Sequence, residues 1–193
     1  MSAPDQPANA STTSAKRFAF FRGCLISVKY PQMEAAVRLT LPALGIELVD
    51  VPGFTCCPDP VYFKATDKLV WLTMAARNLS LAEDLGLDVL TLCSCCARTL
   101  TDTSRILKED PGLLAKVNER LARIHRQYRG TTRVWHVMTV LRDDVGLERV
   151  RATVRRPLAD VRVAVHYGYH LLSLSARKIT DDPDHPHLVE DLI

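Results

Sequence analysis

Six cysteines confine this chain more than any other feature, and all of them lie in its first half. They fall into three groups: Cys24 alone, the adjacent pair Cys56-Cys57, and Cys93, Cys95 and Cys96 in the run Leu92-Cys93-Ser94-Cys95-Cys96. Thirty-one residues separate Cys24 from the pair, and thirty-five separate the pair from Cys93. Thiols kept only for packing scatter along a chain. Thiols gathered into three segments are the pattern of a metal or cluster site, and a fold that uses them must bring distant segments to one point.

Hydrophobic patterning supplies such a fold. Residues 17–22 read as a short buried strand running into Gly23-Cys24. Residues 31–44 open on Pro31, carry Ala35, Ala36, Leu39 and Ala43 at helical spacing, and meet Gly45, a residue suited to a helix C-terminus. Residues 46–51 read as a second strand ahead of Pro52-Gly53 and the cysteine pair. Residues 67–86 read as a long helix with Trp71, Leu72 and Met74 in its core, and residues 87–92 as a third strand leading into the last cysteine group. A helix from about Ala97, a break at Pro111-Gly112 and a further helix to about Tyr128 follow. Residues 134–145 are expected to be helical, and Val161–His166, with its strict alternation, a strand. The order predicts an α/β fold: a small parallel sheet flanked by helices, with the cysteine motif at the C-terminal strand ends. Cys93 and Cys96 then fall where a helix begins, and its dipole favours thiolate over thiol.

Composition narrows the chemistry. The chain has 193 residues, 47% of them apolar, and a net charge of +3, enough for a real core and too mild to argue for nucleic acid. No apolar run is long enough to span a membrane. Residues 1–16 lack the apolar core of a secretory leader and read as a floppy tail, so a cytoplasmic location is expected, where clustered thiols favour metal or redox chemistry over disulfides. A structural zinc ion takes four ligands, usually as two paired knuckles, and only one C-x-x-C is present. A redox dithiol leaves Cys24, Cys56 and Cys57 unused. An iron–sulfur cluster accepts thiolates on several irons and so accommodates adjacent and surplus cysteines; zinc stands as the alternative.

The pattern C-x31-CC-x35-CxxC, the phrase Phe54-Thr55-Cys56-Cys57-Pro58-Asp59-Pro60, and the stretch 157–172 containing His166-Tyr-Gly-Tyr-His170 resemble the cysteine-rich CCG domain of heterodisulfide reductases, found in their B-type subunits. The resemblance runs from about Phe18 onward. It implies one non-cubane 4Fe-4S cluster held by Cys24, Cys56, Cys57, Cys93 and Cys96, used for thiol or disulfide chemistry or for electron relay. It also implies an iron–sulfur partner resembling the C-type component of such reductases, a flavoprotein resembling their A-type component, and a complex that can lie peripheral to a membrane. Cys95 is an extra thiol for which the family's pattern has no place.

Such proteins carry two domains of this kind. Here Val163-Ala-Val-His-Tyr-Gly168 parallels Phe18-Ala-Phe-Phe-Arg-Gly23, but Tyr169 stands where Cys24 follows in the first copy. The expected organisation is a tail over 1–16, a cluster domain over 17–130 and, over 131–193, the incomplete start of a second similar half, with residues 185–193 opening a helix. His166 and His170 are candidates to donate a proton to a leaving thiolate, against the plainer reading of sheet and cap residues. The tail containing His185 and His187 reads as an exposed acidic loop. Lys116, Arg120, Arg123, Arg126, Arg129 and Arg133 read as a solvated basic face, opposite Leu113, Leu114, Val117, Leu121 and Ile124, with docking of an acidic partner as the sharper option.

Overall fold

The computed structural model describes residues 15–175 and 180–193. The expected tail over 1–16 lies, up to residue 14, outside the described residues, and Lys16 already begins the first strand. Strand β1 (Lys16–Phe21) pairs in parallel with β2 (Ile46–Asp50) on one side and with β3 (Asp88–Thr91) on the other, and β4 (Val134–His136) closes the order β2-β1-β3-β4. All pairings are parallel, so every strand ends on the same edge.

Strand β1 is the spine because it carries apolar side chains on both faces. Phe18 and Phe20 pack with Ile26, Leu41, Leu90 and Val140 on one face. Ala19 and Phe21 pack with Trp71, Leu79, Val89 and Leu100 on the other. A strand buried on both faces needs such a continuous apolar run. Helices α1 (Gly23–Lys29) and α2 (Pro31–Thr40) cross from β1 to β2; α2 tightens into a 3-10 turn at Leu41–Leu44 and stops at Gly45, whose φ of 79° is the left-handed end expected there. Helices α3 (Tyr62–Thr66) and α4 (Lys68–Asp84) cross from β2 to β3. Asp67 caps α4 by accepting from the backbone N–H of Leu69 and Val70, both at 2.9 Å. Trp71 and Leu72 are fully buried, as expected of the core, and Met74 is half-buried. Helices α5 (Ser94–Glu109) and α6 (Pro111–Ala122) cross from β3 to β4, separated by the cap Asp110.

Three expectations fail. Residues 134–145 are not helical throughout: Val134–His136 form β4, and helical structure starts at Val137. Three residues are too few to show a strand period. What fixes them is tertiary, since the Arg133 carbonyl accepts from the Val89 N–H and the Arg133 N–H donates to Asp88, while the Trp135 indole donates to the same carboxylate at 3.0 Å. Val161–His166 forms no strand. Val161 and Val163 are 57% and 48% exposed, and no described strand pairs with the segment. The last residues give only a 3-10 turn at Glu190–Leu192. The basic face is partly tied down: Arg126 and Arg129 reach Asp84, Arg133 reaches Asp88, and Ile124 is exposed rather than apolar-facing.

Candidate metal centre

The chain leaves β1 for β2 on one side and then returns to β3 on the other, so the sheet has its topological switch point between β1 and β3. In open α/β sheets the crevice outside these C-terminal strand ends is where ligands bind. Cys24 lies just past β1, Cys56-Cys57 in the loop after β2, and Cys93 just past β3 at the cap position of α5. The fold therefore carries all three cysteine groups to one edge.

The sulfurs meet there. Cys24 contacts Cys56, Cys56 contacts Cys57, and Cys57 and Cys93 both share hydrogen bonds with Cys95 and Cys96. All six cysteines are free thiols. Cys57 and Cys96 are buried, Cys93 and Cys95 half-buried, and Cys24 and Cys56 exposed. The S–H groups of Cys95 and Cys96 pull the Cys57 thiol down to about 5 and the Cys93 thiol down to about 2. The donors Cys95 and Cys96 are pushed up by the same bonds, and burial adds to it. Burial, followed by the neighbouring Cys57, pushes Cys56 up to about 11. Cys95 is thus not set apart from the other thiols.

Residues outside the cysteines build this arrangement. Gly23 has a φ of 67°, and a Cβ placed on it would lie 2.8 Å from Cys96 Sγ. Only glycine lets the end of β1 pass so close to that sulfur. Asn78 on α4 is 1% exposed; its Oδ1 accepts from the Thr55 N–H and its Nδ2 donates to the Cys56 carbonyl, both at 3.0 Å. Thr99 on α5 donates to the Pro58 carbonyl at 2.9 Å. The vicinal pair is thereby bracketed from two helices. Behind the last cysteine group lies His136, at the end of β4, with Nε2 3.4 Å from Ser94 Oγ. Burial pushes its imidazole down to about 4. Asn78, Thr99 and His136 escape a sequence reading; the signal available for Asn78 was a polar residue amid the apolar positions of α4.

The histidine candidates separate. His166 is exposed in irregular chain, whereas His170, at the start of α7 (Tyr169–Ser175), lies beside Cys95 and Asp59. Asp59, Cys95 and His170 bring possible ligand atoms within 4.8 Å of one another. Arg98, however, contacts His170 Nδ1 at 3.2 Å. A guanidinium can only donate, so Nδ1 accepts and the ring proton stays on Nε2, leaving no lone pair for a cation. Tyr169 is exposed, under the Arg98 guanidinium at 4.9 Å from its ring centre. In the tail, His187 pairs with Asp191, and His185 is exposed.

A cleft of about 600 Å³ opens onto the exposed side of the sulfurs, with Arg22, Cys24, Ser27, Phe54 and Cys56 on its walls. Phe54 is fixed edge-on against Phe21, ring centres 5.0 Å apart. The donor set suits an iron–sulfur group. Several sulfurs crowd into a partly dry volume where they cannot all ionise without bound positive charge, and the glycine at 23 keeps that volume from being filled. Among the described residues no helix is long and apolar enough to cross a membrane.

Comparison with known proteins agrees with this geometry. Residues 18–101 match the model of the cysteine-rich domain called CCG. Over 177 residues, 92% of the chain, it is 38% identical to the B-type subunit of a CoB-CoM heterodisulfide reductase of Methanosarcina acetivorans. It is also 38% identical over 157 residues, 81% of the chain, to the membrane anchor subunit of the 8-methylmenaquinol:fumarate reductase of Wolinella succinogenes. The matched regions cover 59% and 54% of those two proteins, so the chain spans somewhat more than half their length. A crystal structure of a hypothetical protein from Helicobacter pylori shares the fold over 64% of this chain and 24% of its own, with a TM-score of 0.57 at 21% identity. Residues 18–101 thus carry a cysteine-rich CCG domain, in a chain similar over 92% of its length to the B-type subunits of heterodisulfide reductases.

Proposed function

We propose that this chain is an iron–sulfur redox subunit of heterodisulfide reductase type, with one non-cubane 4Fe-4S cluster held by Cys24, Cys56, Cys57, Cys93 and Cys96. The observation that carries the reading is the meeting of three cysteine groups at the switch point of a parallel sheet, graded from buried to exposed. When bound, such a group exchanges electrons with the sulfur of a thiol or disulfide.

The chain's own residues supply the setting. Gly23 admits the Cys96 sulfur, Asn78 and Thr99 fix the vicinal pair, and the N-terminus of α5 favours thiolate at Cys93. The cleft beside Cys24 and Cys56 admits a small thiol or disulfide, with the Arg22 guanidinium on its wall. On the other side of Cys95, the Nε2–H of His170 is the group we assign to hydrogen-bond and steady a leaving thiolate, which takes its proton from solvent; His166 receives no role. Electrons pass through an iron–sulfur partner resembling the C-type component of heterodisulfide reductases, with a flavoprotein resembling their A-type component beyond it. In this reading residues 17–130 are the cluster domain and residues 131–193 open a second, related unit.

Anaerobic purification tests this. Brown protein with about four irons and matching acid-labile sulfide supports it. Colourless protein that keeps a single zinc ion even after anaerobic reconstitution with iron and sulfide overturns it and leaves a zinc-held assembly module. Cys56→Ser and Cys57→Ser are each expected to lose most of the iron, and Cys95→Ser to retain it; equal loss in Cys95→Ser would put Cys95 among the ligands.

A further inference from the structure

His136 is the one buried histidine beside the cysteine groups among the described residues, 7% exposed, and nothing in the proposed chemistry uses it. Its two ring nitrogens have distinct partners. Nδ1 accepts from the Met138 backbone N–H at 3.4 Å, which places the ring proton on Nε2. The N–H so fixed lies 3.4 Å from Ser94 Oγ. This contact falls on the segment that carries Cys93.

Its position in the sheet gives this contact meaning. The β3–β4 ladder ends at the pair Thr91 and His136. Beyond it the chain at Leu92, Cys93 and Ser94 has left the sheet and has not completed a helical turn. Its local ties are the Cys93 N–H to Thr91 Oγ1 at 3.3 Å and the Ala97 N–H to the Cys93 carbonyl at 2.9 Å. The imidazole thus continues the link between the strands one step past the last backbone bond.

We propose that His136 is a positioning residue for the cluster: its Nε2–H holds the Ser94 hydroxyl, and so fixes where the Cys93 sulfur and the Ser94 O–H face. The proposal rests on the iron–sulfur reading for its effect on the cluster, but not for its effect on the loop. A hydroxyl whose oxygen accepts from His136 has its own proton free to donate towards sulfur. Hydrogen bonds to cluster sulfurs raise the reduction potential, so losing an oriented donor lowers it.

The test uses the full chain with His136→Phe, which keeps ring volume and removes both hydrogen bonds, and His136→Gln, whose amide restores the donor. In the iron-free chain, amide exchange at residues 92–96 should rise at least tenfold in His136→Phe and return towards the parent in His136→Gln. After anaerobic reconstitution, the midpoint potential should fall and the paramagnetic spectrum should change in His136→Phe, again with rescue by Gln. Ser94→Ala should reproduce the fall in potential with the fold intact, and decides the matter if His136→Phe does not fold. A His136→Phe chain whose melting temperature drops while loop exchange and potential stay put overturns the proposal, as does a Ser94→Ala chain of unchanged potential. Failure of the parent chain to take up iron is read separately from the exchange measurement: it removes the cluster reading and its potential effect, while the loop result still decides whether His136 positions the segment.

Discussion

Two stretches of this chain are written almost alike and fold differently. Phe18–Gly23 and Val163–Gly168 each open on a run of apolar residues and close on a glycine. In the first, Phe18, Ala19, Phe20 and Phe21 are at most 1% exposed, with β2 and β3 paired on either side. In the second, Val163 faces solvent and no described strand accompanies it. An apolar run makes a strand possible, and neighbours make it real: a parallel strand is stable when both faces and both edges are occupied. The aromatic residues of the first copy fill two layers of core, whereas the second copy meets none.

The contrast is sharpest in stability. Phe20→Ala should cost about 3–5 kcal/mol in chemical denaturation, because it opens a cavity in a fully packed layer, and Val163→Ala should stay within about 0.5 kcal/mol. Similar costs at the two sites would mean that the second stretch is packed after all. Next in size is Asn78→Ala, which strands the Thr55 N–H and the Cys56 carbonyl and should cost about 2–3 kcal/mol. It should also speed iron loss to a chelator, a readout for which the second stretch has no counterpart. Gly23→Ala probes the two glycines that end the copies. At Gly23 the positive φ and the nearby Cys96 sulfur should cost about 1–3 kcal/mol, whereas Gly168→Ala has nothing within 4 Å of a new Cβ. A melting temperature unchanged by Gly23→Ala would show that Cys96 can move away freely.

The smallest effect concerns pH and the residues that follow the second stretch. Burial alone would raise the Asp181 carboxyl, but the backbone N–H groups of Leu188, Asp182 and His187 outweigh it and hold it below 3.8. His187 is held above 6.5 by its hydrogen bond to Asp191. A carboxyl depressed on folding contributes stability above its ordinary value and loses it as pH falls through the folded one. A histidine raised on folding contributes fully below 6.5 and loses that contribution as pH rises through its raised value. Amide protection over residues 187–191 should therefore be greatest between about pH 4 and 6.5, and a profile flat across both limits would remove these two groups from the account.

Legibility in the sequence follows the same division. Strands β1 to β3, helices α2 and α4 and the Gly45 terminus could be read because local pattern and tertiary setting agree there. The cysteine spacing, laid on those strand ends, was enough to place the thiols at one edge. β4 was missed because its identity comes from Asp88, some 45 residues earlier, through bonds to Arg133 and Trp135. Asn78, Thr99 and His136 were missed for a related reason. Each matters through a carbonyl or hydroxyl it meets across the fold, and no property of the residue itself announces that partner.

The graded exposure of the sulfurs has a further consequence outside the reaction itself. Oxygen and peroxides reach thiols in order of access, and the two exposed cysteines, Cys24 and Cys56, are also in contact with each other. Air should therefore age the iron-free chain from the mouth inward. Cys24 and Cys56 would give up two electrons and two protons and join as a disulfide, tying α1 to the loop after β2, while Cys57 and Cys96 stay reduced beneath them. A reductant added soon after exposure would recover the site, and one added after the buried pair had reacted would not.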